Sequence, residues 1–215
     1  MITLSPRLAV LLSPGGADEA VGLLRTYFTP RPADSFTGAH FERLGGGGDR
    51  PSVADEFTAE DLIAVSMLAV AVVGNAALEI LEVRRPRLSE LLRPIPADVA
   101  LADLDAGDLG ADWPVRTLYR ELLTVRDVGE TTATKLLARK RPHLIPILDS
   151  VVATELGIVK GNFWLPLHAW LVADERANHH HLEYLRSLAG LGDDISALRV
   201  FDVLAWMTGK GYTAP

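Results

Sequence analysis

Apolar side chains recur at helical spacing along most of this chain. Val21, Leu24 and Phe28 fall on one stripe of a helix predicted at 18–28. The same spacing predicts helices at 58–72, 76–83, 98–104, 114–124, 149–157, 177–189 and 196–208, with further helices beginning near 131 and 166. No run alternates apolar and polar residues as a half-buried strand does. The pattern therefore predicts an all-α fold, either one multi-helix domain over residues 1–215 or two helical lobes.

Local signals mark several helix ends. Thr58, with Asp61 three residues later, is a variant of the capping box. Asp112 and Pro114 have the order of an N-cap and a first helical residue, and Gly209 is placed to end the last helix. The apolar run at 62–73 is shorter than the roughly 20 residues that span a bilayer, so we expect a buried helix and no membrane segment. Consecutive glycines at 45–48 predict a mobile loop.

One stretch combines a predicted hairpin of two helices with a proline-containing loop. Val125, Val128 and Gly129 have the spacing of the turn between the helices. Thr131 and Thr132 then begin the second helix. The first N–H groups of a helix have no partner within it and lie at the positive end of its dipole. This N-terminus can therefore bind a phosphate oxygen.

The hairpin, the loop at 141–148 and the following Asp149 resemble the helix-hairpin-helix DNA glycosylase superfamily. In that family the hairpin grips a nucleic-acid backbone, and the loop presents a catalytic aspartate near the start of the next helix. Over residues 115–151 the resemblance implies DNA contacts at the hairpin. It also implies that Asp149 activates a water and offsets positive charge on the sugar as the base departs. Asp149 is equally placed to cap the next helix, and the two roles are compatible.

Two residues depart from the family pattern. Asp127 stands where the hairpin usually has its first glycine, and aspartate tolerates the left-handed backbone that such a turn requires. Its carboxylate would repel a bound phosphate. Thr131 stands where lyase-type members have a lysine, which excludes a Schiff base at that position. Lys135 lies one turn later on the same helical face.

The net charge of −7 argues against broad attraction to nucleic acid, because such binding needs Lys and Arg to replace counterions. A nucleic-acid surface must then be a local patch. Two clusters are candidates, and each also fits an ordinary solvated face. They are Arg84, Arg85 and Arg87, and Lys135, Arg139, Lys140 and Arg141. The absence of cysteine excludes disulfides, thiolate metal sites and an iron–sulfur cluster, and agrees with a cytoplasmic location.

Aromatic residues supply candidates for a base pocket. Phe36, His40 and Phe41 belong either to a packed loop or to a lid over a substrate. Trp164 and Trp170 belong either to the core or to a pocket wall on which a flipped base stacks. We expect no metal site, since three consecutive histidines at 179–181 point in three directions from a helix.

Together these features predict a cytoplasmic DNA-binding protein that resembles base-excision glycosylases. If active, it is a monofunctional N-glycosidic hydrolase without cofactor. Asp149 is the catalytic residue, and the predicted DNA contacts are Val128, Gly129, Thr131, Thr132, Lys135, Arg139 and Lys140. The alternative is a non-catalytic helical module that binds a protein or a small molecule. The oligomeric state is left open by the sequence.

Overall fold

The computed structural model describes residues 2–29, 36–158 and 163–214. Within these ranges the chain forms helices and turns and no strand, which confirms the all-α prediction. The helices are α1 (Pro6–Leu11), α2 (Ala17–Phe28), α3 (Ala59–Ser66), α4 (Gly74–Leu78), α5 (Arg85–Leu92), α6 (Pro114–Leu123), α7 (Glu130–Lys140), α8 (Ser150–Glu155), α9 (Trp164–Leu188) and α10 (Ala197–Gly209). The backbone of α9 departs from helical angles at 173–176, between the two helices that the sequence predicted there.

The last helix, α10, is the centre of the packing. It contacts α1, α2, α8 and α9, and all but two of its residues are buried. Ser196 caps its N-terminus by accepting a hydrogen bond from the Arg199 N–H at 3.1 Å. Because a helix buried on all faces has no solvated side, its two charged residues, Arg199 and Asp202, must find partners inside the protein.

Several predicted helix ends are confirmed and others are wrong. The Thr58–Asp61 capping box forms, with the Thr58 N–H donating to Asp61 Oδ2 at 2.8 Å. Trp113 rather than Asp112 is the N-cap of α6, although Pro114 is the first helical residue as predicted. The left-handed residue after α10 is Gly211 rather than Gly209.

The helix predicted at 58–72 ends early. Beyond Ser66 the chain makes a turn in which Ala69 has φ +60°, and residues 70–73 form no regular secondary structure. Ile63 is 55% exposed, so the apolar run is less buried than predicted. Lys135 Nζ donates to the Leu68 carbonyl oxygen at 2.7 Å, which holds this turn against α7.

No helix within the described residues combines the length and the apolar character needed to cross a membrane.

Candidate functional site

A cavity of about 510 Å³ opens between α7, α8 and α10 and is closed on one side by residues 67–70. Its volume lies in the range of small-molecule sites in proteins. Its walls are largely apolar and aromatic, with a few polar side chains among them. The aromatic residues are Tyr27, Phe36, Tyr119, Phe163, Trp164 and Trp206, and the charged ones are Glu130, Lys135, Asp149, Arg199, Asp202 and Lys210.

Asp149 lies on the wall of this cavity and caps α8. Its Oδ1 accepts hydrogen bonds from the N–H groups of Val151 at 2.9 Å and Val152 at 3.0 Å. The preceding residues, Ile147 and Leu148, are buried, so the loop is fixed where it delivers the carboxylate. The predicted capping role is confirmed, and the carboxyl group is also available to a molecule in the cavity.

The hairpin between α6 and α7 reaches the same cavity. Asp127 adopts φ +65°, the left-handed backbone expected of it, and its side chain is 53% exposed. Val128 and Thr132 are buried, whereas Gly129 is exposed and a Cβ built on it would meet nothing within 4 Å. Thr131 lines the cavity. The turn is thus open, and phosphate binding by its N–H groups stays a prediction.

Lys135 lies inside the cavity rather than on an outer surface. Only 3% of the residue is exposed, and its Nζ donates to the Leu68 carbonyl oxygen. Burial lowers the pKa of the Lys135 ammonium group, while the nearby carboxylates of Asp149 and Asp202 act in the opposite direction. Its predicted role as part of a basic DNA-binding surface is therefore wrong, although it remains accessible to a cavity ligand.

The other two cations of the predicted patch, Arg139 and Lys140, are buried at 2% and 0% exposure. Both pair with Asp61, at 3.2 Å from Arg139 Nε and 2.5 Å from Lys140 Nζ. Both side chains also donate to backbone carbonyl oxygens. Arg139 Nη1 donates to that of Glu42 at 2.6 Å, and Lys140 Nζ donates to that of Gly48 at 2.9 Å. The prediction that they contact DNA is wrong. Instead they anchor the glycine segment that was predicted to be mobile.

Arg141, which follows them, is also buried and pairs with Asp55 at 2.8 Å. Each arginine of the other predicted cluster forms an ion pair on the surface. Arg84 pairs with Glu79 and Glu121, Arg85 with Glu56, and Arg87 with Glu90. Neither cluster forms an unpaired basic patch.

A buried ionic network adjoins the cavity and was not predicted. Arg199 Nη2 donates to the Tyr27 hydroxyl at 2.9 Å and to the Gly38 carbonyl oxygen at 2.8 Å. Its guanidinium also pairs with Glu42, at 2.6 Å from Nε, and with Asp202. The sequence signal was an Arg and an Asp three residues apart in an otherwise apolar helix, a pattern that indicates a buried pair.

The pKa of Asp202 is raised to about 6. Burial is the main cause, and the Asp149 carboxylate adds to it, whereas Arg199 and Lys135 act in the opposite direction. Tyr119 on the opposite wall has its pKa raised to about 12 by burial and by the carboxylate of Glu130. The cavity thus holds titratable groups in unlike environments, as active sites commonly do.

Of the five predicted base-pocket residues, Phe36 and Trp164 line the cavity. The prediction is wrong for the other three. His40 is exposed outside it, and Phe41 is buried beneath the guanidinium groups of Arg139 and Arg199. Trp170 packs on Phe201 with ring centroids 5.0 Å apart. Sequence reasoning missed Tyr27, Tyr119 and Trp206, which come from helices distant in the chain.

The indole of Trp164 provides a polar group in the cavity wall. Trp164 is 4% exposed, and its Nε1 has no hydrogen-bond partner among the described residues. A buried indole N–H normally has one. Among the described residues, no group of three or more His, Cys, Asp or Glu side chains is arranged to hold a metal ion.

A family model described as "Family of unknown function (DUF6308)" matches residues 20–209, which include every residue that lines the cavity except Lys210. No curated protein and no solved structure matches the chain.

Proposed function

We propose that this protein, which belongs to the DUF6308 family, hydrolyses the N-glycosidic bond of a nucleotide whose base enters the cavity. The observation that carries the proposal is that Asp149 and the hairpin residue Thr131 border one aromatic-lined cavity. A planar base can stack on its aromatic walls. The sugar–phosphate backbone of such a nucleotide would then contact the hairpin, whose residue Thr131 lines the same cavity.

The proposed reaction uses Asp149 as a general base. The C1′–N bond breaks and its electron pair moves to the base, while a water oxygen attacks C1′ and loses a proton to the Asp149 carboxylate. Positive charge develops on the sugar in the transition state, and the same carboxylate offsets it. Asp149 keeps its orientation throughout because its Oδ1 is fixed by the N–H groups of α8.

DNA is the nucleic acid that we propose as the substrate, with a base flipped into the cavity. With Arg139 and Lys140 buried, the part of the chain that the structure describes has few exposed cations near the site. Arg126 in the hairpin turn has an 80% exposed side chain, and Lys210 is exposed at the cavity. We therefore expect weak duplex binding and a preference for bases that leave the stack at low cost. We place this activity in the cytoplasm, consistent with the lack of cysteine.

A second candidate function is the binding of a free planar ligand without catalysis. The observation that favours it is the burial of Arg139 and Lys140 in a chain of net charge −7, which leaves little attraction for a polyanion. Under this alternative, free bases or nucleosides bind in the cavity and raise the melting temperature, whereas oligonucleotides do not bind.

The test incubates the protein with single- and double-stranded oligonucleotides that carry deaminated, oxidised or alkylated bases, followed by detection of abasic sites. We expect release of at least one base by the wild type, loss of that release in Asp149→Asn, and normal release in the control Asp98→Asn, which changes an exposed aspartate. Release that persists in Asp149→Asn would remove Asp149 from the mechanism. Absence of release from every substrate, together with stabilisation by free nucleosides, would replace the first proposal with the second.

A further inference from the structure

Asp149 and Asp202 are two carboxyl groups on the wall of one cavity, from different helices that pack together. Asp149 stands at the start of α8, and Asp202 lies in the middle of α10. A third carboxylate of the cavity wall, that of Glu130, raises the pKa of the Tyr119 hydroxyl. Both aspartates therefore border the space that an N-glycoside in this cavity would occupy.

The two aspartates have different environments. Asp149 is half-buried and accepts two backbone N–H hydrogen bonds, an arrangement suited to a carboxylate. Asp202 is only 4% exposed, and its carboxyl group forms an ion pair with the guanidinium of Arg199. That guanidinium is shared, since it also binds Glu42, the Tyr27 hydroxyl and the Gly38 carbonyl oxygen. The cation in direct contact with Asp202 is thus shared with three other acceptors.

The charged and titratable groups that act on Asp202 come from several elements. Arg199 lies one turn earlier on α10, Lys135 lies on α7 and Asp149 lies at the start of α8. The negative charge of Asp202 in turn contributes to the raised pKa of Tyr27 on α2. Burial raises the pKa of Asp202 to about 6 in spite of the two cations. A carboxyl group with a pKa of about 6 keeps its proton in weakly acidic solution and can act there as a general acid. A pair of carboxyl groups in contrasting environments divides the acid and base roles.

We propose that Asp202 is a second catalytic residue, which donates a proton to the departing base while Asp149 accepts one from water. This inference rests on the proposed function and specifies its substrate class as N-glycosides whose neutral base leaves only when protonated. The C1′–N bond breaks, and its electron pair is taken by a base that gains the Asp202 proton. Water adds to C1′, and its proton passes to Asp149. Exchange with solvent then returns both carboxyl groups to their starting states.

The test compares two purine substrates in the same oligonucleotide. Hypoxanthine is a neutral leaving base that benefits from protonation, whereas 7-methylguanine already carries a positive charge and leaves without it. We expect Asp202→Asn to slow hypoxanthine release by about 100-fold and to leave 7-methylguanine release within about threefold of wild type. Wild-type release of hypoxanthine should fall as the pH rises above about 6, and release of 7-methylguanine should not.

The matched control is Asp193→Asn, which changes a side chain that is 97% exposed and should slow neither substrate. Equal losses on both substrates in Asp202→Asn would overturn the proton-donor role and leave the proposed hydrolysis standing. If the wild type releases no base at all, the inference fails together with the proposed function.

A measurement on the wild type covers the case in which Asp202→Asn does not fold. The carboxyl carbon of Asp202 is followed by NMR across the pH range. We expect a titration midpoint near pH 6, and a lower midpoint in Asp149→Asn, because the charge that raises the pKa of Asp202 is then removed. A midpoint at the ordinary aspartate value, or one that Asp149→Asn does not change, would overturn the proposal.

Discussion

Lys135 Nζ donates to the Leu68 carbonyl oxygen at 2.7 Å, and this contact joins α7 to the turn that closes the cavity. The sequence separates the two residues by a long stretch, yet the bond accompanies two departures from expectation. It joins the turn that follows α3 to α7, and it holds the ammonium group of Lys135 inside the protein instead of on a surface. The cavity therefore depends on a buried cation that also faces Asp149 and Asp202.

The first prediction concerns Lys135→Met, which keeps the length of the side chain and removes the ammonium group. The Leu68 carbonyl loses its donor, so we expect faster amide hydrogen exchange at residues 67–73. We also expect a loss of about 1–3 kcal/mol in the free energy of unfolding. Mass spectrometry of hydrogen exchange measures the first effect and urea denaturation the second. Unchanged exchange in this segment would show that Lys135 does not hold the turn.

A second prediction follows from the raised pKa of Asp202, which is about 6 in the folded protein. An unfolded aspartate has a pKa of about 3.9, so between these values the folded state binds more protons than the unfolded state. The stability contributed by this proton is therefore fully present below about pH 4 and is lost as the pH rises through about 6. A shift of about two pKa units corresponds to roughly 3 kcal/mol.

This effect is measured as a difference between wild type and Asp202→Asn, because other titrating groups then cancel. We expect the wild-type advantage in the free energy of unfolding to fall by roughly 3 kcal/mol between pH 4 and pH 7. Urea denaturation at several pH values gives the number. A difference that does not vary with pH would contradict the raised pKa of Asp202.

The third prediction concerns Asp61, the shared partner of Arg139 and Lys140. In Asp61→Asn both buried cations lose their counter-ion, and removal of one member of a buried ion pair costs about 3–5 kcal/mol. Glu60→Gln is the matched control, because the Glu60 side chain is 45% exposed and its pair with Arg50 should contribute about 1 kcal/mol or less. Urea denaturation measures both variants. Similar losses in the two would contradict the central role of Asp61.

The fourth prediction separates charge from backbone conformation at Asp127. Asp127→Asn keeps a residue that tolerates φ +65° and removes the negative charge, whereas Asp127→Gly removes both the charge and the backbone constraint. If the hairpin turn meets phosphate, both variants bind an oligonucleotide more tightly at low salt, and the gain shrinks as salt is added. Fluorescence anisotropy at several salt concentrations measures this. Affinities equal to wild type in both variants would mean that no phosphate lies near Asp127.

The features that the sequence predicted correctly were mostly helix caps and turns, which depend on neighbouring residues. The Thr58–Asp61 capping box, the left-handed Asp127 and the Asp149 cap each depend on residues within three positions, and all three are present. The ion pairs were not predictable in this way, because Asp61 meets Lys140 only after the intervening helices pack. A basic run at the end of a helix is typical of a solvated face, and nothing local shows that α7 is buried at Arg139 and Lys140.

Only some residues of the cavity wall could be predicted from the sequence, because the others lie far apart in the chain. Asp149 and Trp164 lie near each other in the chain, and the sequence placed both at the site. Asp202 lies on α10, beyond the region that resembles the glycosylases. It was not predicted, because only the fold shows that the helix is buried on nearly all sides and which partners act on Asp202.

The most direct measurement is the single-turnover rate of base release by Asp149→Asn, taken beside its free energy of unfolding. Asparagine caps a helix about as well as aspartate, so we expect stability within about 0.5 kcal/mol of wild type. Asp149→Ala should lose about 1 kcal/mol through the missing cap. With its cap intact but no general base, Asp149→Asn should release base at least about 100-fold more slowly than wild type. Release by a stable Asp149→Asn at the wild-type rate would contradict the proposal that this carboxylate, in this cavity, performs the hydrolysis.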